Sequence, residues 1–270
     1  DTALDAGDIK YLATYGAGSD YLNRSTWHNT DWDCRQAITV SSDVTTTDLT
    51  DFPLLVKITD PSNPVFNRAA AGGLDILFTD ANGNKLSHEI ESYSNGATKE
   101  LNAWVKVDLA SAADTTLYMY YDNDTASDQQ NAVATWDANF QMVQHLNETS
   151  GTHYDSTANG NNCASIPAGV NQNVSGKING ADDFNGTSST GFQTTYGDAI
   201  DPSASSQTFE LWLKPDISSQ KIFLSSGQGT NDRMYIAMDN GEWEIGIQGS
   251  AWGAGTTDVT IDEWTHLTLV

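Results

Sequence analysis

The chain has few basic residues. Its 270 residues contain 12 Lys and Arg against 36 Asp and Glu, which gives a formal net charge of −24. A negative field of this size repels phosphates and anionic lipids, so nucleic acid and membrane surfaces are excluded as expected partners. It favours divalent cations, cationic surfaces or solubility in high salt. Most of the acid is Asp between predicted strands, where a solvated surface is the simplest explanation and calcium binding the second.

Long apolar runs are also missing. No segment approaches the roughly 18 apolar residues that a membrane helix needs, so no membrane span is expected. Helical periodicity is confined to one short stretch, 126–136. The aromatic content (Trp 8, Tyr 10, Phe 8) is too high for a disordered chain. A chain of this length has room for about two domains.

Cysteine is scarce, and the two present, Cys34 and Cys163, lie far apart. In an oxidising compartment they can form one disulfide between the two halves of the chain. Two separate thiols are the alternative, and the sequence leaves both open. Glycosylation sequons matter only if the host glycosylates its exterior, and they occur at Asn23, Asn123, Asn147, Asn173 and Asn185.

Short alternating strands fill most of the chain, and they predict an all-β fold of two consecutive β-sandwich, jelly-roll-like domains. The Asn-Gly pairs at 82–83 and 240–241 predict tight hairpins. The predicted strands of the first half are 35–40, 52–58, 74–79, 86–91, 103–107 and 116–121. Those of the second half are 140–146, 181–186, 208–214, 221–224, 233–238, 242–247 and 262–270.

The pattern divides the chain into an N-terminal arm or linker at 1–30, a first domain at 31–138 and a second at 139–270. The last strand pattern, 262–270, alternates polar and apolar residues and ends without a turn or a partner strand. An unpaired apolar strand exposes backbone hydrogen-bonding groups. We therefore expect the chain to be part of a longer protein, with the second domain incomplete.

The second domain resembles a laminin-G-like, concanavalin-A-like jelly roll of prokaryotic surface proteins. The resemblance rests on five short motifs spread over 140–270. They are His145-Leu146-Asn147-Glu148-Thr149-Ser150-Gly151, Tyr154-Asp155-Ser156-Thr157, Gly176 to Ala181 running into Phe184-Asn185-Gly186, Thr208 to Pro215, and Asp262-Glu263-Trp264-Thr265-His266-Leu267.

The first domain resembles an uncharacterised domain that often precedes this jelly roll in bacterial and archaeal envelope proteins. The matching residues are Trp32, Arg35 and Ile38, Asp51 to Val56, Asp75 to Asp80, Glu89-Ile90-Glu91, Ala103 to Val107, and Met119 to Asn123. The resemblance implies a secreted or surface-anchored, often adhesive protein. It brings no established reaction.

Catalytic patterns are not evident, and we expect no enzyme. Glu242 and Glu244 share one strand face, but the laminarinase-type pattern Glu-x-Asp-x-x-Glu is not completed, so a solvent-facing hairpin is the better interpretation. The five histidines show no metal spacing, and no Ser lies in a nucleophile elbow. His145 and His266 match strand positions of the resembled family and are interpreted as packing residues.

Calcium is the best small-ligand hypothesis, because hard Ca²⁺ binds carboxylate, amide and carbonyl oxygens. Asp155 and Asn159 belong to a polar loop around Gly160, and Asp183 follows the Gly-Ala step of the jelly-roll motif. The resemblance implies one calcium at a sheet rim, with Asp155, Asn159 and Asp183 as the predicted ligands. Turn-forming side chains explain the same loop without a metal.

Aromatic side chains offer a second kind of site. Trp243 and Trp252, with Tyr235, can form a platform on which a sugar ring stacks, although aromatic residues on strands are more often core. Trp252, in a glycine-rich loop, is the ring expected to be exposed. The sequence thus predicts a secreted or cell-surface binding or adhesion protein whose partners are glycans or proteins, with filament formation by strand addition as one form of it. The alternative is the carbohydrate-binding part of a larger secreted glycan-active enzyme.

Overall fold

A computed structural model describes residues 27–164, 166–186, 206–217, 221–226, 234–239, 241–247 and 253–270. The chain divides into two compact units. Unit 1 consists of Asp1–Asn161 and Gln172–Asp182, and unit 2 of Asn162–Asn171 and Asp183–Val270. No described helix is long and apolar enough to cross a membrane.

Unit 1 is a sandwich of two antiparallel sheets. Its strands are β1 (Cys34–Val40), β2 (Leu49–Ile58), β3 (Leu77–Asp80), β4 (Lys85–Leu86), β5 (His88–Asn95), β6 (Lys99–Leu109) and β7 (Thr115–Tyr121). The sheet orders are β1-β7-β3-β4 and β2-β6-β5. Its helices α1 (Val65–Arg68) and α2 (Ala132–Thr135) are single turns, and Ser42–Val44 and Ala71–Gly73 are 3-10 turns.

One apolar core lies between the two sheets of unit 1. Strand β6, with alternate residues Leu101 to Leu109 facing inward, packs against β7, whose Leu117 and Met119 are fully buried. Phe66 of α1 closes the core. Inward apolar residues alternate with outward residues along these strands, which gives each sheet one apolar face, and the valines and isoleucines among them favour extended backbone. Pro53 is tolerated because β2 lies at a sheet edge.

A β-hairpin follows these strands, formed by β8 (Val170–Ser175) and β9 (Gly180–Phe184). Its tip, 176–179, turns tightly: a Cβ added at Gly176 would lie 2.2 Å from the carbonyl oxygen of Gly180. Glycine is therefore the residue that permits this turn. The tip belongs to unit 1.

Unit 2 contains two further antiparallel sheets. Its strands are β10 (Phe209–Leu213), β11 (Lys221–Ser226), β12 (Met234–Asp239), β13 (Glu242–Ile247), β14 (Gly253–Asp258) and β15 (Thr265–Leu269). Strand β10 pairs with β15, and β11 to β14 form a meander. Leu213 and Leu267 from the first sheet pack on the buried cluster of Met238, Trp243 and Val259.

The all-β prediction is confirmed, and the β-sandwich character is supported. One predicted strand is wrong: 140–146 forms no strand. Its backbone bonds instead to a neighbouring loop, since Val143 N–H donates to Asp155 and the Gln141 carbonyl accepts from Asn161. Neither Cys34 nor Cys163 forms a disulfide. The Cys34 thiol donates to Asp122 instead.

Candidate functional site

A bulge in β5 brings two glutamates to the outer face of unit 1. The pairing of β5 with β6 shifts register between Ile90 and Ser92, at Glu91. Before the bulge Ile90 faces the core, and after it Tyr93 does. Glu91 is the extra residue of the bulge and points to the same outer side as Glu89. The inward-facing residues are therefore even-numbered before the bulge and odd-numbered after it.

His145 lies between these two carboxylates. Its Nε2 is 3.2 Å from Glu89 Oε2, and its Nδ1 is 3.2 Å from Glu91 Oε2. Burial alone would lower the pKa of His145, but the two acids outweigh it and raise that pKa to about 10. His145 is therefore a cation at neutral pH, held between two anions.

Two tryptophans complete the arrangement. Trp104 Nε1 donates to Glu91 Oε2, and Trp136 Nε1 donates to Glu89 Oε2, both at 2.7 Å. Burial raises the pKa of Glu89, but His145 and the donated hydrogen bonds outweigh it, so the net pKa lies below its ordinary value. The ring centroids of Trp104 and Trp136 are 5.4 Å apart. We call Glu89, Glu91, Trp104, Trp136 and His145 the Glu-His-Trp cluster.

Later parts of the chain close over this cluster. Ser156 Oγ donates to Glu89 at 2.6 Å. The Asn147 and Asn179 side chains both donate to the Glu91 carbonyl oxygen, at 3.3 and 2.9 Å. Asn179 belongs to the β8–β9 hairpin tip, so two separate segments are attached to the same point of β5.

The same hairpin approaches the chain closely at Gly180. A Cβ there would lie 2.5 Å from the Leu146 carbonyl oxygen and 2.8 Å from Asn147 Cα. Leu146 itself has a φ of 52°, which is strained for a large side chain. Only glycine fits at position 180 with this backbone.

A second histidine is held in the same manner nearby in unit 1. His153 is fully buried, with Nδ1 2.7 Å from Glu148 and Nε2 2.7 Å from Asp182. Burial raises the pKa of Asp182. For Glu148, burial is outweighed by His153 and the Tyr154 N–H, which lower its pKa. The side-chain nitrogen of Gln172, on β8, lies 3.2 Å from His153 Nε2.

Both clusters lie largely below the surface of unit 1. The exposed fractions of the Glu89, Glu91 and His145 side chains are 13%, 4% and 11%. Each of these carboxylates is hydrogen-bonded within unit 1. What the arrangement does is attach 140–161 and the hairpin tip to the outer face of the β2-β6-β5 sheet.

The predicted calcium ligands have other roles in the structure. Asp155 accepts four hydrogen bonds, from the Val143, Thr157 and Asn161 amides and the Thr157 hydroxyl. The Asn159 amide group donates to the Phe140 and Gln141 carbonyls. Both side chains thus have the turn-forming role that requires no metal.

Asp183 is exposed and accepts from Asn171 at 3.1 Å. Within the described residues no group of three or more His, Cys, Asp or Glu is arranged to hold a metal ion. Calcium binding stays a prediction.

The predicted sugar platform is only partly visible. Trp243 is 6% exposed and packs on Phe223, so its ring offers no free face. Tyr235 lies on β12, but its side chain falls outside the described residues, as does the whole of Trp252. The stacking hypothesis therefore depends on Trp252.

Sequence reasoning overlooked the Glu-His-Trp cluster. Glu89 and Glu91 were interpreted as strand residues and His145 as a packing residue. The signal available was the pair of acids two positions apart beside a predicted strand carrying Trp104. No sequence rule connects that pair to a histidine more than fifty positions away.

Comparison with known proteins adds one match. Residues 72–162 match the family model described as a domain of unknown function, DUF2341. The match includes all five residues of the Glu-His-Trp cluster, together with Ser156. No curated protein matches the chain, and no solved structure matches it.

Proposed function

We propose that the chain is the binding part of a secreted or cell-surface protein and acts through its exterior, as an adhesion module or a filament subunit. The observation that supports the proposal is that its two histidine–carboxylate clusters interact with other side chains of unit 1. Both lie largely below the surface of unit 1, where their carboxylates contact a histidine. Chemistry directed at an outside molecule is thereby left to the surface.

The charge of that surface supports the same role. With three acids for every base, the exterior attracts cations and cationic partners. Such attraction increases association rates and weakens as salt is added. Binding to a basic or cation-coated surface should therefore be sensitive to salt.

We further propose that 139–270 form a laminin-G-like jelly roll, to which unit 2 contributes the strands β10 to β15. The support is the pairing of β10 with β15, which aligns the two motif-bearing strands in antiparallel register from Phe209–Leu269 to Leu213–Thr265. Their inward leucines join the core formed with the other sheet of unit 2. Two sheets sharing one core is the arrangement that a jelly roll requires.

An adhesion assay tests the proposal. Beads carrying the folded chain are applied to cell layers and glycan arrays at low and high salt, beside beads carrying the heat-unfolded chain of identical charge. The proposal expects saturable binding by the folded chain alone. Electron microscopy of native preparations reports filaments directly, and fractionation of the source cells should place the protein in the envelope or medium.

The outcomes separate the alternatives. Glycan binding that is lost in Trp252→Ala would favour the carbohydrate-binding part of a secreted enzyme. Monodisperse monomers that bind neither cells nor glycans would overturn the proposal.

A further inference from the structure

Strand β1 lies at the edge of its sheet and pairs with β7 alone. The Asp33 N–H donates to the Asp122 carbonyl at the start of this ladder, so 33 and 122 are a hydrogen-bonded pair. Because bonded and non-bonded pairs alternate along an antiparallel ladder, the odd-numbered residues of β1 bond to β7. The even-numbered residues turn their backbone N–H and C=O groups to the open side, where no hydrogen bond from another described residue reaches them.

The other edge strands of unit 1 are interrupted or covered. Strand β2 contains Pro53 and shifts register against β6 just before it. Along β5, the Ile90 N–H donates to Gln130, and the Glu91 carbonyl accepts from two side chains. Strand β4 is only Lys85–Leu86. Bulges, prolines, short strands and covering segments are the usual means of blocking an edge. Within the described part of unit 1, β1 has none of these.

The composition of β1 also suits pairing. Its sequence, CRQAITV, contains no acid, although the chain carries a net charge of −24. The Arg35 guanidinium lies 4.3 Å from the ring centroid of Tyr118, on β7, and 5.2 Å from that of Trp27. These cation–π contacts hold the charge over its own sheet and away from the open side. Ala37, in the middle of the strand, is exposed and short.

Gln36 supplies a second, independent observation. It is nine-tenths buried on the inner side of β1, in line with the core residues Ile38 and Val40. Its side-chain Nε2 has no hydrogen-bond partner among the described residues. A buried donor without a partner is costly, so native structures rarely keep one. A polar side chain opposite Gln36, on a strand added to the open side, would supply the missing acceptor.

A second copy of β1 offers that side chain. We propose that two copies of the chain pair antiparallel through β1, with Gln36 of one copy facing Gln36 of the other. Each glutamine amide contains a donor and an acceptor, so the two can exchange N–H···O bonds. In this register Cys34 faces Ile38 of the second copy, and their open backbone groups bond to each other. Arg35 faces Ala37 of the second copy, whose short side chain leaves room for it.

Neighbouring registers do not satisfy the same groups. A two-fold axis at Ala37 places Gln36 against Ile38 of the second copy, and an axis at Ile38 places it against Val40. Both leave the amide donor among apolar side chains. An axis at Arg35 opposes the two guanidinium groups directly, which is destabilising. The register centred on Gln36 avoids all three faults.

The proposed pair is a closed dimer. A two-fold interface uses the same patch on both copies and leaves nothing for a third. One short strand pair makes a small interface, so we expect a dissociation constant on the order of 10–100 μM. Repulsion between two strongly acidic copies opposes pairing and is screened by salt. The dimer goes beyond the adhesion proposal and displays each adhesive surface twice.

Sedimentation equilibrium of the full chain at low and high NaCl tests the pairing. We expect a monomer–dimer equilibrium in which the dimer is favoured by salt. Ala37→Arg sets a second cation against Arg35 of the other copy and should weaken the dimer about fivefold, whereas Ala37→Glu sets an acid there and should strengthen it by a similar factor. Circular dichroism checks that both variants fold, as their exposed position predicts.

Ala97→Arg and Ala97→Glu are the matched controls, because Ala97 is an exposed alanine in the turn between β5 and β6. There the added charge acts only through net charge. In a chain of −24, Arg reduces the repulsion between copies and Glu increases it. The expected order for the Ala37 variants is the reverse, so a contact between copies can be distinguished from a general charge effect.

Amide exchange of the parent chain locates the interface without any variant. At high protein concentration the amides of Gln36 and Ile38 should become protected, because they gain partners on the open side. The amides of Ala37 and Thr39 already bond to β7 and should change little.

Three results would overturn the inference. They are a monomer at every concentration and salt level, Ala37 variants that follow net charge as the Ala97 variants do, and a dimer without protection at Gln36 and Ile38. None of these measurements involves cells or glycans. A monomeric chain therefore leaves the adhesion proposal standing, and a dimer that binds no cell or glycan leaves this inference standing.

Discussion

At the residue scale, His145 decides how the outer face of unit 1 is held. A cation between two buried carboxylates is stable only while all three are present. Glu89 and Glu91 would otherwise repel each other in a site from which Trp104 and Trp136 exclude water. Each tryptophan N–H donates to the same Oε2 atom that His145 contacts, and Ser156 donates to the other oxygen of Glu89. These bonds offset part of the free-energy cost of burying the carboxylates.

We predict that His145→Gln destabilises unit 1 by about 3–5 kcal/mol, because it leaves two uncompensated buried acids. Urea denaturation followed by tryptophan fluorescence measures the change. Lys106→Met is the control, since it breaks only the 3.5 Å contact with the exposed Asp51 and should cost less than about 1 kcal/mol. Equal losses in the two variants would show that the cluster is not a tight ion pair.

The directions of the pKa shifts of His145 and Glu89 determine how the stability loss of His145→Gln depends on pH. His145 has a pKa raised from 6.5 to about 10, so its stabilisation is full below 6.5 and is lost as pH rises toward 10. Glu89 has a pKa below its ordinary 4.5, so its stabilisation is full above 4.5 and is lost as pH falls further. The stability gap between parent and His145→Gln should therefore be largest between about pH 4.5 and 6.5.

His88 shows the opposite behaviour. It is fully buried against Phe78, and burial lowers its pKa from 6.5 to about 4. Between pH 6.5 and 4 His88 is protonated in the unfolded chain but not in the folded chain. The stability of the folded chain therefore falls as pH drops from 6.5 toward 4. We predict that His88→Leu is neutral or stabilising at pH 7 and loses less stability on acidification. Thermal melts at pH 7 and pH 5 test this, and a steeper acid loss in the variant would contradict it.

At the element scale, the β8–β9 hairpin is attached to the strands of unit 1 by hydrogen bonds at its tip. Its tip donates from Asn179 to the Glu91 carbonyl and accepts from Asn102 at the Ile178 carbonyl, 3.0 Å away. Gln172 and Asp182, near its two strand ends, reach His153. The hairpin therefore reaches both clusters of unit 1 through three side chains, those of Asn179, Gln172 and Asp182.

Gly180→Ala tests this attachment of the hairpin. The added Cβ would meet backbone atoms of Leu146 and Asn147 at 2.5 and 2.8 Å, and backbone cannot yield as a side-chain end can. We predict a loss of about 1–3 kcal/mol and faster amide exchange at 176–180. Gly96→Ala is the control, because its Cβ meets only the Ser94 hydroxyl at 3.7 Å. Unchanged exchange at the tip would mean that the hairpin is not held there.

At the scale of the whole molecule, unit 1 extends beyond its sandwich strands. The predicted first domain ends at residue 138. That boundary describes the extent of a sequence resemblance, and it stays a prediction. The packing unit continues through Asn161 and resumes at Gln172–Asp182. We predict that a fragment of 27–138 melts well below one of 27–182, because it exposes Trp104 and Trp136 and leaves Glu89 and Glu91 without His145. Circular dichroism of the two fragments measures this, and equal melting temperatures would show that the later segments add nothing.

The net charge of −24 gives a second prediction at this scale. Self-repulsion among like charges opposes the compact state and is screened by salt. The melting temperature should rise between low and high NaCl and rise more per unit concentration with CaCl₂. EDTA should then lower it if calcium is held by the folded chain. An EDTA-insensitive melt would remove the calcium hypothesis and leave Asp155 as a turn residue.

Local pattern in the sequence determined the all-β class and most strands, because alternation and Asn-Gly turns act over a few neighbouring residues. It did not predict β8 or β14. The failure at 140–146 has the same cause. Its alternation suits a strand, but its backbone found side-chain partners such as Asp155 that no local rule anticipates. Only the tertiary structure decided where Glu89, Glu91 and His145 meet, since their contact needs a bulge, a sheet and a return of the chain over that sheet.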